Sequence, residues 1–351
     1  MVESNDSDEG PVDLAVGKVV AKRFLIHYKC GEGGCGTVYK VEDLEKKKHF
    51  YALKAESNSA SGGAVLKLEV AILRRLQGRK HFAELIQSGK RERYSYMVMT
   101  LFGPSLSYVL KKKVKGDLSI SSTVRIGIQL LYCIKTLHDA GYIHRDIKPG
   151  NLALGRHFPQ SRFLYMLDFG LSREHITRDG DKVLMRRPRT DTLFRGTPKY
   201  CSISTHERNE QGRPDDLWSL VYLIAELRGP LPWEDLSSKH DIKELKKRTP
   251  DTKLLANCPI QMLEITAHLR SLTYYTRPNY FFIYKKFMEV MKEGGFKFTD
   301  PYDWEKTVMA KKKRIRHDGE STSLHYIKHS ADSGNSPSFC DEDFTSNPLG
   351  F

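Results

Sequence analysis

The sequence predicts an α+β fold in two lobes: a small β-rich lobe with one key helix, then a larger, mainly helical lobe. Three observations carry this. Strand-length apolar runs crowd the stretch from Phe24 to Thr100, with one helical run among them. From Ser105 onward, apolar residues recur at helical spacing. The 351 residues suit one large two-lobed unit or two ordinary domains, and 39% hydrophobic with 28% charged residues gives most of the chain a core.

Residues 1–16 are rich in Asp, Glu, Ser and Gly and are expected to be disordered. From Arg23, Phe24, Ile26 and Tyr28 alternate as in a strand. The run Gly31, Glu32, Gly33, Gly34, Cys35, Gly36, Thr37 and Val38 follows. Glycines let a backbone come close to phosphates, and free N–H groups can bind them. A dinucleotide fold would open a helix here; Val38 to Val41 instead continues as a strand, so a hairpin lid is expected. Lys54 ends the apolar run Tyr51-Ala52-Leu53. Residues 65–76 have helical period, with Glu69 set among apolar neighbours, where a charge needs a partner. Strands are expected near 85–88 and 94–100, with Met99 the last strand residue. The irregular Thr100 to Pro104 reads as a hinge.

Beyond the hinge, helices are expected over 105–113 and 120–140, the second ended by Gly141. Residues 173–192 read as an irregular, mobile segment holding Arg186, Arg187 and Arg189. Asp215 and Asp216 head an apolar, buried helix, where Asp216 can accept backbone N–H bonds and brace the loop around Asp146. Further helical patterns run over 254–272 and 280–292, and the core is expected to end near Trp304. Residues 306–351 read as a polar tail with a basic run from Lys311 to Arg316. Removing that tail is expected to leave the core intact.

The chemistry concentrates between Tyr142 and Gly170, which hold His144-Arg145-Asp146, Lys148, Asn151 and Asp168-Phe169-Gly170. Phosphoryl transfer needs a carboxylate to take a hydroxyl proton, oxygen ligands for Mg²⁺, and a cation on the moving phosphoryl group. Asp146 fits the first need, Asn151 and Asp168 the second, and Lys148 the third. The ordered pair H-R-D-x-K-x-x-N and D-F-G, after a glycine loop and a strand lysine, resembles the protein kinase superfamily.

That resemblance implies a bilobal kinase domain over 17–305: N-lobe 17–100, hinge 100–104, C-lobe 105–305. It implies ATP and Mg²⁺ as cofactors. Gly31, Glu32, Gly33, Gly34, Cys35 and Gly36 would cover the phosphates, and Lys54, fixed by Glu69, would hold them. Val38 and Ala52 would roof the adenine, Ala153 would floor it, Met99 would back it, and Leu101 and Phe102 would meet its edge. Lys148 implies serine/threonine specificity. Met97-Val98-Met99 before Gly103-Pro104-Ser105-Leu106, and Ser202-Ile203-Ser204 where Ala-Pro-Glu is usual, are similar to the casein kinase 1 group. Asn151 to Arg156 and Phe194-Arg195-Gly196-Thr197 resemble its tau-tubulin kinase branch. The group resemblance implies activity without activation-segment phosphorylation. Cys35 and Pro198 depart from the branch and leave substrate choice open.

A net charge of +14 favours anionic partners. Arg186, Arg187, Arg189, Arg195 and Lys199 suggest protein substrates that are acidic or already phosphorylated. No zinc-finger, RNP-type or helix-turn-helix pattern points to specific nucleic-acid binding. No run reaches membrane-span length, so no membrane association is expected. A monomer is expected. The six cysteines show no CxxC pair or metal spacing and read as thiols of a reducing, cytoplasmic setting. The basic run adds a nuclear alternative. The rival reading is a pseudokinase, the same fold used as a binding or scaffold protein. Loss of Lys54, Asp146 or Asp168 would favour it, and all three are present.

Overall fold

The computed structural model describes residues 12–33, 36–59, 65–114, 116–305 and 336–351. Gly34, Cys35, the acidic start of the chain and the basic 311–316 run lie outside these. The chain divides into two units: residues up to Phe102 together with Leu167–Ser172, and Gly103–Met166 together with Arg173–Phe351.

The first unit is built on a six-stranded sheet. Its strands are β1 (Val19–Val20), β2 (Phe24–Gly33), β3 (Gly36–Asp43), β4 (Phe50–Ser57), β5 (Leu85–Lys90) and β6 (Tyr94–Thr100), in the order β1-β2-β3-β4-β6-β5. Helix α1 (Val65–Arg75) lies between β4 and β5 in sequence. All pairings are antiparallel. Strand side chains alternate between faces, so register decides which residues share one. Tyr39, Val41, Leu53, Ala55, Tyr96 and Val98 form a buried cluster with Phe24 and Ile26. The opposite phase is left for Val38, Ala52, Lys54 and Met99. Val38 pairs with Lys54, and Ala52 with Met99.

Two expectations change here. Residues 12–16 are not a free tail. Leu14 is buried, its amide donates to the Tyr39 hydroxyl at 2.9 Å, and that hydroxyl donates to the Val12 carbonyl at 2.7 Å. The last strand also runs past Met99 to Thr100, whose amide donates to the Glu84 carbonyl at 3.1 Å.

The second unit is mainly helical. Helix α2 (Leu106–Lys113) starts at the N-cap Ser105, and α3 (Ile120–Asp139) at the N-cap Ser119. Short strands follow: β7 (Tyr142–Ile143), β8 (Leu152–Leu154), β9 (Leu164–Met166) and β10 (Arg173–Glu174), with β8 paired to β9 and β7 to β10. Next come β11 (Ile176–Asp179) and β12 (Lys182–Met185), then α4 (Ile203–His206) and α5 (Arg213–Leu227). Helices α6 (Lys239–Arg248), α7 (Asp251–Leu254), α8 (Gln261–Arg270) and α9 (Tyr280–Glu293) follow, and α10 (Glu342–Thr345) comes last. Helix α3 is buried over most of its length and packs against α5 and α9.

Three sequence expectations differ in this unit. The 173–192 stretch is not wholly irregular, because β11 and β12 pair as a hairpin across Gly180. The helix expected over 254–272 is shorter: α7 ends at Leu254, and α8 starts only at Gln261, after Pro259. The tail is not free beyond residue 335. Phe344 is fully buried against the helical unit, and its ring stacks on Tyr284 at 4.1 Å.

Candidate active site

In the first unit, β2 and β3 form the expected hairpin, with Gly31 opposite Val38 and Gly33 opposite Gly36. Gly36 has φ +111°, and a Cβ there would lie 2.4 Å from the Ala55 carbonyl oxygen, so only glycine fits. At Gly31 and Gly33 a Cβ would meet nothing within 4 Å. Among the described residues, packing does not ask for glycine at either position. Glu32 between them is exposed and paired with Lys29.

Lys54 stands on β4 and is buried, bonded to Glu69 of α1, with Asp168 Oδ1 at 3.5 Å. Burial pushes the Glu69 carboxyl up, to about 7, with Asp168 adding to the rise and Lys54 opposing it. Asp168 has φ +62°, a strained value for a residue with a side chain. The next residue, Phe169, is buried beside Phe82, with ring centroids 6.3 Å apart. The unit thus brings Lys54, Glu69 and Asp168 together. Ala52 is buried and Val38 and Met99 are half-buried on the face that carries Lys54. Leu101 and Phe102 are half-buried just after β6.

In the second unit, the loop after β7 gathers Asp146, Lys148 and Asn151. Lys148 Nζ donates to Asp146 Oδ2 at 2.7 Å. Asn151 Nδ2 donates to the Asp146 backbone carbonyl at 2.8 Å and to Oδ2 at 3.1 Å. Ala153 follows on β8 and is buried.

The loop is shaped from below by Asp216 at the head of α5. Its carboxylate accepts the His144 amide at 2.7 Å and the Arg145 amide at 2.9 Å. Such bonds hold Arg145 at φ +69°. Burial works against the Asp216 charge, yet the bond from His138 and the His144 amide keep its carboxyl below the usual range. Burial also pushes His138 below its ordinary value, so the ring is neutral. Its Nε2–H then donates to Asp216 at 2.9 Å, and its Nδ1 accepts from the Tyr280 hydroxyl at 2.7 Å.

Sequence reasoning singled out Asp216 but missed three partners. Thr197 donates to Asp146 Oδ1 at 2.7 Å and accepts from Lys148 at 2.9 Å. His138 and Tyr280 complete the support beneath. The Thr197 signal was its place in Gly196-Thr197-Pro198, just past the arginine-rich segment. His138 and Tyr280 lie inside helices and gave none.

Most of the basic residues near this segment already have counter-ions. Arg189 pairs with Glu210 at 2.6 Å, Arg173 with Glu210 at 3.4 Å, and Arg186 with Glu174 at 3.0 Å. Lys199 lies between Glu226 and Glu234, at 2.5 Å from each. Among the described residues, Arg187 and Arg195 form no ion pair. Burial, with Arg173 close by, pushes Arg145 down to about 10.

No group of three or more His, Cys, Asp or Glu able to hold a metal occurs among the described residues. Asp168 in the first unit and Asn151 in the second each carry a hard side-chain oxygen donor. That suits Mg²⁺, which keeps few protein ligands and fills its sphere with phosphate and water. The buried Lys54 on β4, one strand away from the β2–β3 glycines, is a cation of the kind phosphates take.

Residues 24–285 match the protein kinase domain family. A Caenorhabditis elegans protein provisionally named a serine/threonine-protein kinase is 47% identical, over 98% of this chain and 99% of that protein. Another C. elegans protein, provisionally named a casein kinase I, is 31% identical over 83% of this chain and 86% of its own. An inactive tau-tubulin kinase of C. elegans is 36% identical over 64% of this chain and 80% of its own.

Proposed function

This chain belongs to the protein kinase family and is a serine/threonine protein kinase; we propose that Asp146 takes the proton of the substrate hydroxyl during transfer. The observation that carries this is the Asp146 carboxylate, held by Lys148, Asn151 and Thr197 within 3.1 Å. Lys148 also balances charge on the moving phosphoryl group. Lys54, fixed by Glu69, holds nucleotide phosphates under the β2–β3 hairpin. Asn151 and Asp168 would each offer an oxygen to Mg²⁺, which would offset phosphate charge. Val38, Ala52, Met99, Leu101, Phe102 and Ala153 shape the adenine site. ATP supplies the γ-phosphoryl group when bound.

The chain fits best in the casein kinase 1 group, close to the tau-tubulin kinase branch. The matches to relatives named for both support this, at modest identity. Protein segments that are acidic or phosphorylated remain the favoured substrates, now resting on Arg187 and Arg195. The other cations are already balanced. A cytoplasmic setting goes with the free thiols among the described residues.

One specific observation favours a second reading, a catalytically silent scaffold: one relative is named inactive. Turnover of ATP on casein by the wild type and by Asp146→Asn separates the two. Transfer by the wild type alone supports catalysis, and no transfer by either supports the scaffold.

A further inference from the structure

We propose that the face formed by α3 and α9 is a docking surface for an aromatic, acidic chain segment, and that residues 336–351 are its resident occupant. The segment lies outside residues 24–285, the part shared with the kinase family. It is not built like a core element. Its one helix has four residues, and only Pro337 and Phe344 are buried. It is held at a few anchor points, as a bound peptide is.

The first anchor is aromatic. Phe344 stacks on Tyr284 of α9 at 4.1 Å and meets Tyr132 of α3 edge-on at 6.3 Å. Phe339 lies 5.3 Å from Tyr132 and 5.6 Å from Phe298. The second anchor is charge. Lys135 of α3 is almost fully buried. It pairs with Asp139 and donates to the Ser346 hydroxyl at 2.7 Å. Arg277 donates to the Ser346 carbonyl at 2.7 Å, and Lys285 approaches Asp341 at 3.9 Å. Asp341 thus meets a cation at the rim, and the two phenylalanines flank it. A chain segment with two rings five positions apart and an acid between them has the chemistry this face takes.

The occupant also reaches the hairpin that precedes the candidate catalytic contacts. Arg213 donates to the Phe351 carbonyl at 3.2 Å, and through its other terminal nitrogen to Met185 Sδ of β12 at 3.3 Å. Its guanidinium lies 5.5 Å from the Phe351 ring centre. Docking is therefore tied to the position of β11 and β12.

The test uses the full chain and a fluorescent synthetic peptide of residues 336–351. Phe344→Ala loosens the resident segment and frees the surface. Phe339→Ala does so more mildly, since its ring is half-exposed and leaves no core cavity. Each variant is first checked for cooperative melting, and one that does not melt cooperatively is set aside in favour of the other. The peptide should bind a folded variant saturably, at least tenfold more tightly than it binds the wild type. Amide exchange across 176–185 should quicken in the same variant. Equal binding to wild type and variant, or none to a folded variant, would overturn the proposal. Light scattering addresses the source of the occupant. A monomeric wild type supports docking within one chain, whereas a dimer that Phe344→Ala dissolves would show that a second copy supplies it.

Discussion

Thr197 donates its hydroxyl to Asp146 Oδ1 at 2.7 Å, while Lys148 holds Oδ2 at the same distance. Both oxygens of the candidate base are thus engaged from outside its own loop or two positions along it. Thr197 fixes the carboxylate's angle, and the segment carrying Thr197 follows the arginine-rich stretch. Thr197→Val should lower kcat about tenfold with little change in KM for ATP, and Thr197→Ser should restore most of it. Steady-state kinetics on a model peptide would check this. Equal rates for Val and Ser would remove the hydroxyl from the account.

Asp146→Asn should bind nucleotide as the wild type does and lose transfer by roughly 10²- to 10⁴-fold, because the lost group acts on the hydroxyl. Lys54→Ala should weaken nucleotide binding as well as rate. Nucleotide titration followed by fluorescence, beside turnover, distinguishes the two patterns.

Lys246 gives a pH prediction. Burial pushes its ammonium down to about 8 from the usual 10.5, although the carbonyls of Pro198 and Cys201 accept from it at 2.7 and 2.6 Å. Between these pH values the unfolded chain binds more protons at this group than the folded chain does. Stability from it therefore rises with pH across that window, and the cost of the buried charge is fully present below about 8. Compared with Lys246→Met, the wild type should gain on the order of 1–3 kcal/mol between pH 7.5 and 10. Denaturant unfolding of both at the two pH values measures it, and a constant difference would contradict the buried, shifted lysine.

Regulation gives a fourth expectation. Glu210 already supplies a carboxylate to Arg173 and Arg189. An added phosphate is then not needed to order this segment. Protein made in bacteria and treated with phosphatase should keep at least half its turnover. Silence after treatment would reverse the expectation.

Much of the first unit was legible because its strands are half-buried, so alternation in the sequence maps onto two faces. Lys54 and Glu69 were legible for a related reason: each is a charge among apolar neighbours. Helix α6 was not. Its sequence KHDIKELKKR reads as solvated, yet Ile242 and Lys246 are buried, the latter against Tyr222 and Trp233 at 4.6 and 5.1 Å. A lysine whose stem and head are both covered looks the same in sequence as one in water. The docked 336–351 segment was hidden in the same way, since its acids and serines outweigh the three rings that hold it. The β11–β12 hairpin has only four residues in each strand, too few for a clear alternation in the sequence.

The braced geometry beneath Asp146 has a consequence during synthesis. His144 is bonded to a residue 72 positions later, and His138 to one 142 positions later. At about 5–20 residues per second, the loop must wait roughly 7–30 s before Tyr280 has even been made. Until then His138 beneath Asp216 lacks its Tyr280 partner, and the apolar face of α3 lacks α9. The nascent chain therefore carries its reactive loop for many seconds before the support beneath that loop is complete.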